Sequence, residues 1–177
     1  MALFEVSYNW MLDNEDRARQ YKTVSDAPPG AFAISGINSY AYPSQFAAIN
    51  SLPQTSRGPA IQSFYQTQFW NQWFGQLLSD DVAKRVFDEA VNAGPGTAVK
   101  VLQRAVNQIV TTPIAVDGGW GPNTLAAANG CVAVALVSQV QQARLAHYQD
   151  IVVKNPADAQ YLGTESNPGP WWIRATQ

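Results

Sequence analysis

The chain has 177 residues, a formal net charge of -2, 46% hydrophobic and 14% charged residues, which suits one folded domain with a buried core and argues against global disorder. No basic block is present, so nucleic acid is not an expected partner, and the longest apolar run, beginning at Cys131, is far short of the ~20 residues of a membrane span. A single His and a single Cys rule out a zinc site and an internal disulfide, and no cofactor is expected.

In chain order, Phe4, Tyr8, Met11 and Glu15 share one face of a helix expected over residues 3–15. A loop rich in turn formers follows, through Asp26-Ala27-Pro28-Pro29-Gly30 to Ser35-Gly36-Ile37-Asn38, irregular or with short strands. Pro43 opens a short helix to Asn50, and residues 51–58 read as a connection. A strongly aromatic helix is expected from Pro59 to Phe74. Ser79 is an N-cap for residues 80–93, with Asp80 and Asp81 complementing the helix dipole, and Asn92-Ala93-Gly94-Pro95-Gly96 stops it. Val99, Leu102, Val106 and Ile109 make an apolar stripe along residues 97–109. Val116-Asp117-Gly118-Gly119-Trp120-Gly121-Pro122 is a tight turn region, Pro122 starting a short helix. The last long helix is expected over residues 131–153 with Leu136, Val140, Ala143, His147 and Ile151 on one face, and Asn167–Arg174 as an aromatic-anchored loop. Cys131 reads as a buried, inert thiol. The class is mainly α.

With metal and phosphate-loop chemistry unsupported, carboxylates remain. His147, on an apolar helix face, is expected to be a packed or edge residue. Glu15 stands at a helix end among apolar groups, and an acid so sheltered can keep its proton and donate it to a glycosidic oxygen; the alternative is a surface pair with Arg17 or Arg19. Asp26, in the next loop, could face it across a cleft and orient a water, or simply form the turn. Asp13 and Asp16 point elsewhere on the helix, which favours solvated roles.

Phe64-Tyr65 and Phe69-Trp70, Val86-Phe87-Asp88-Glu89-Ala90-Val91-Asn92-Ala93-Gly94, Leu102-Gln103-Arg104-Ala105, Val116-Asp117-Gly118-Gly119-Trp120-Gly121-Pro122-Asn123-Thr124-Leu125, and Arg144 with Tyr148 follow one another as in glycoside hydrolase family 108, the secretion-activator-like N-acetylmuramidases. The chain resembles that family most specifically over residues 64–148. The terminal Trp171-Trp172-Ile173-Arg174 is similar to the family's "GW-x-x-R" ending without its Gly. In the amino-terminal half, Glu15 matches the Glu of the family's "EGGY", but Asp16-Arg17 replaces the glycine pair. Asp26-Ala27-Pro28-Pro29-Gly30 loosely matches "DPGG" at altered spacing, so this loop must be rebuilt.

The resemblance implies one lysozyme-like helical domain over residues 1–177, with a catalytic half (1–78) and a helical half resembling a peptidoglycan-binding region (79–177). It implies cleavage of the β-1,4 bond between N-acetylmuramic acid and N-acetylglucosamine, with Glu15 as general acid and Asp26 assisting. Tyr65 and Asn92 would line the cleft and Trp70 would offer a face to a sugar. Asp117-Gly118 and Thr124 are expected to shape a turn and a cap. The alternatives are a peptidoglycan-binding module that no longer cuts and a hydrolase of another amino-sugar polymer. The expected partner is the peptidoglycan glycan strand, met by a monomer. Residues 1–5 carry no basic-then-apolar signal, so synthesis in the cytoplasm and release through a holin-type pore are expected.

Overall fold

A computed structural model describes residues 1–177. Helix α1 (Phe4–Glu15) is followed by a three-stranded antiparallel sheet, β1 (Thr23–Asp26), β2 (Ala31–Ile34) and β3 (Ile37–Asn38), in the order β1-β2-β3. Thr23 pairs with Ile34 and Asp26 with Ala31, then Ile34 with Ile37. Next come α2 (Pro43–Asn50), α3 (Gly58–Tyr65), α4 (Asp80–Ala93), α5 (Pro95–Asn107), α6 (Pro122–Gly130), α7 (Ala133–Lys154), α8 (Ala159–Leu162) and α9 (Pro170–Thr176). The fold is mainly helical with a small sheet inserted after the first helix.

The helix expected from Pro59 to Phe74 winds as α only to Tyr65 and continues as a π-helix over Gln66–Phe74. Phe64, Phe69 and Phe74 are spaced by five, as are Tyr65 and Trp70. The wider winding keeps both sets turned inward, where all five are buried. Tyr65, Phe69, Trp70 and Phe74 pack edge-on around Phe87 of α4, with Phe4 of α1 as its fifth aromatic neighbour. One apolar core of 30 buried residues runs from Ala2 to Val140.

Ser79 caps α4, its Oγ accepting from the Val82 N–H. Leu3 N–H donates to Asp80 Oδ1 (2.5 Å) and Asn14 Nδ2 to Asp88 Oδ1 (3.1 Å), so α1 and α4 lie side by side and run the same way.

Three expectations fail. The most deeply buried residues of α7 are Leu136, Val140, Arg144 and Tyr148, while Ala143, His147 and Ile151 are only partly buried at its edge, because acids on α4 draw Arg144 inside. The tail is a helix, α9, with Pro170 at its first turn, where a missing N–H and fixed φ cost nothing. Cys131 is only half-buried, its Sγ on the Ala127 carbonyl, and Val132 and Val134 beside it are exposed.

Candidate functional site

Glu15 closes α1 with its side chain 19% exposed. Instead of purely apolar neighbours, or Arg17 or Arg19, it meets Arg174 of α9, whose Nη2 donates to Oε1 at 2.6 Å. Oε2 lies against the β2–β3 turn, so close that a Cβ on Gly36 would stand 2.9 Å from it and 2.8 Å from the Tyr65 hydroxyl. Gly36 has φ +83, a left-handed conformation natural to glycine. A residue without a side chain is therefore needed at the point where turn, acid and tyrosine converge.

Tyr65 is buried and donates its hydroxyl proton to the Ser35 carbonyl at 2.7 Å. Burial, then the nearby Glu15 charge, push its ionisation well above the ordinary value, so it acts as a neutral donor fixing the turn and does not line an open cleft. Trp70 is likewise core: it is 6% exposed, edge-on to Phe87 and tilted against Phe4, which leaves no open face for a sugar.

Asp26 is exposed at the end of β1. Its Oδ1 accepts from the Ala27 N–H and its Oδ2 from Asn38 Nδ2, both at 2.8 Å. Asn38 in turn accepts from Tyr40 N–H at 2.7 Å. Asp26 is thus both turn-forming and held by the third strand. It pairs with Ala31, three register steps from the Thr23–Ile34 pair that adjoins the Ser35-Gly36 turn, an offset of about 10 Å along the strands.

Asp16, expected to be solvated, organises the rebuilt loop. Its carboxylate accepts from the Gln20 N–H (3.0 Å), the Tyr21 N–H (2.7 Å) and the Ser35 hydroxyl (2.8 Å). Arg19, Tyr21 and Ser35 all have positive φ, a cost these bonds offset. Burial opposes the Asp16 charge, but the Tyr21 and Gln20 amides and the Ser35 hydroxyl outweigh it and hold the carboxyl below its usual range.

Behind Glu15 lies an ionic network missed by local sequence rules. Asp88, fully buried, accepts from Arg174 Nε and Nη2 (both 2.8 Å) and from Arg144 Nη2 (2.6 Å). Glu89, also fully buried, accepts from Arg144 Nε and the Tyr148 hydroxyl (both 2.9 Å). Asn92 is exposed and bridges the network's edge, donating to the Tyr148 hydroxyl (2.9 Å) and accepting from Arg174 Nη1 (3.3 Å). Burial opposes the Arg174 charge, yet Asp88 and then Glu15 more than compensate and raise its pKa above the ordinary value. Asp88 and Glu89 stand in the motif around Asn92, and Arg144 and Tyr148 were singled out with it; that run of paired acids beside distant arginines was the available signal.

Asp117 and Thr124 do shape a turn. Gln103, buried, donates to Asp117 Oδ1 (2.8 Å), Gly119 O (3.2 Å) and Thr124 Oγ1 (3.1 Å), while its Oε1 accepts from the Gly118 N–H (2.9 Å).

Comparison with known proteins places the chain beside a family model and solved structures. Residues 97–165 match a family model described as "Predicted Peptidoglycan domain". The chain as a whole is similar to the solved "Structure of Brucella abortus SagA", with 23% sequence identity, a TM-score of 0.63 and coverage of 88% of this chain and 87% of that one. At that identity the likeness is one of fold. No curated protein matches the chain. The matched segment takes in most of α5 and all of α6, α7 and α8, including Arg144 and Tyr148, and it supports an association of this chain with peptidoglycan.

Proposed function

We propose that the protein is a peptidoglycan hydrolase of the muramidase type, close to glycoside hydrolase family 108, with Glu15 as general acid. One observation carries this above others: a partly exposed carboxyl is fixed at the joint between the helical body and a hairpin, one oxygen on Arg174 and the other free beside Gly36. Glu15 gives its proton to the glycosidic oxygen as the bond to the anomeric carbon breaks and an oxocarbenium-like state forms. Arg174 Nη2, at 2.6 Å, stabilises the carboxylate left behind. Asp26 orients a water, which adds to the anomeric carbon, and takes its proton. The offset of Asp26 along the hairpin favours an intervening water over direct attack, since direct attack needs carboxyls only ~5 Å apart. The chain acts as a monomeric lysozyme-like unit, made in the cytoplasm and released to the wall through a holin-type pore.

A second reading is a peptidoglycan-binding module that does not cut. It is favoured by the ion pair that already engages Glu15 and by Asp16-Arg17 where the family has a glycine pair. Mass spectrometry of purified peptidoglycan after incubation separates the two. New reducing-end N-acetylmuramic acid from wild type, absent with Glu15→Gln, is the expected result. Undiminished release by Glu15→Gln removes Glu15 from the role, and sacculus binding without any release establishes the module.

A further inference from the structure

A second concave site lies away from Glu15, within the segment similar to a peptidoglycan domain. It is a cavity of about 710 Å³ between the end of α5 and the start of α6, within the ~300–1,000 Å³ of small-ligand pockets. Its shape is fixed from below. Gln103, 1% exposed, spends its amide on Asp117, Gly119, Thr124 and Gly118, tying the whole loop to α5. Gly118 has φ +79, and a Cβ there would meet the Gly96 carbonyl at 2.8 Å, so the loop is also pressed against the start of α5.

The groups left over face the cavity. Asp117 commits Oδ1 to Gln103 and the Gly119 N–H, leaving Oδ2 as an exposed acceptor. Hydrogen bonds first from Gln103 and then from the Gly119 amide lower the Asp117 pKa, so the acceptor persists through neutral pH. Asn123 is exposed and uncommitted, and α6 begins without a side-chain cap, so first-turn N–H groups remain to donate. Trp120, half-buried, is held edge-on by Phe74 (centroids 5.5 Å apart, planes at 81°), which fixes its ring as a wall. A rigid aromatic wall with amide donors and a carboxylate acceptor around it, and no arginine or lysine in the lining, suits an uncharged polyhydroxylated ligand better than a phosphate or a lipid.

We infer that the Trp120–Asn123 cavity is a second glycan-binding subsite, taking an N-acetylated amino sugar with its ring against Trp120 and its acetamide and hydroxyl groups on Asn123, Asp117 Oδ2 and the α6 amides. The choice of sugar rests on the peptidoglycan reading above, but binding here requires no cleavage at Glu15.

The test is a two-dimensional ¹H–¹⁵N titration of the full chain carrying Glu15→Gln. The probes are the uncharged disaccharide N,N′-diacetylchitobiose and, separately, the free stem peptide. The disaccharide is expected to shift the Trp120 indole N–H, the Asn123 side-chain amide and the Gly119 and Gly121 amides. Trp120→Ala is expected to weaken that binding about tenfold or more. Asn123→Ala, an exposed change that leaves the Gln103 bonds intact, is expected to weaken it measurably with an unchanged spectrum elsewhere. Should saturating disaccharide leave these resonances unmoved, or only the stem peptide move them, the subsite proposal falls. Loss of muramidase activity in wild type with these shifts intact would instead overturn the catalytic reading alone.

Discussion

Arg174 of α9 places Nη2 2.6 Å from Glu15 Oε1 and 2.8 Å from Asp88 Oδ1, so one guanidinium ties the end of the first helix to an acid buried in α4. The fork geometry matters: Nε and Nη2 both reach Asp88, which a single ammonium cannot reproduce. Arg174→Met leaves Asp88 with Arg144 and Asn14 but without its bidentate partner, and is expected to cost about 2–4 kcal/mol. Arg174→Lys should recover less than half of that. Urea unfolding measures both; a loss under about 0.5 kcal/mol for Arg174→Met would mean the network contributes little.

Gly36→Ala is expected to damage both stability and activity. The alanine must hold φ near +83, a cost of about 1–2 kcal/mol, and its methyl is driven into the Tyr65 hydroxyl and the Glu15 carboxylate. Thermal unfolding should fall while peptidoglycan cleavage drops further than stability alone explains. A variant with wild-type cleavage would show that the turn need not touch Glu15.

Asp16 gives the protein an acid-side dependence. Its folded pKa lies below the ordinary 3.8, so the unfolded chain binds the proton first. The contribution is complete above the ordinary value and disappears as pH falls through the lower folded value. Asp16→Asn should therefore be less stable than wild type at neutral pH, with the gap closing in strong acid. Urea midpoints from about pH 7 to about pH 2 follow this, and a gap constant across that range would contradict it.

Asp26 bears on stereochemistry. With a water between Asp26 and the sugar, the first product is the α-anomer at the new reducing end, which proton NMR resolves before mutarotation. Asp26→Asn should slow cleavage about a hundredfold or more while costing stability only about 1 kcal/mol, because Asp26 is exposed and asparagine keeps one of its two accepted hydrogen bonds. The β-anomer as first product would reject the water-mediated step.

Local signals in the sequence located most of the helices. Ser79 and the following acids mark the start of α4, and Pro43 and Pro122 the starts of α2 and α6. Such signals fail where a contact crosses the chain. An apolar stripe on α7 favours Ala143 and His147 because arginine is ordinarily outside, yet Asp88 and Glu89 make the interior hospitable to Arg144. Glu15 stood out as a candidate, but its partner lies 159 positions away, beyond any periodicity. Asp16 was hidden because its task, gathering amides from a loop with two left-handed residues and a hydroxyl from the β2–β3 turn, exists only once both are folded.

The core runs unbroken from α1 into α7, and the buried acids of α4 are answered by arginines on α7 and α9. An isolated fragment of residues 97–165 would bear Arg144 and Tyr148 without Asp88 and Glu89, and would turn the greasy side of α5 out to solvent. Such a truncated piece should clump or stay molten, so a wall-targeting tag cut from this protein would have to carry its neighbours along.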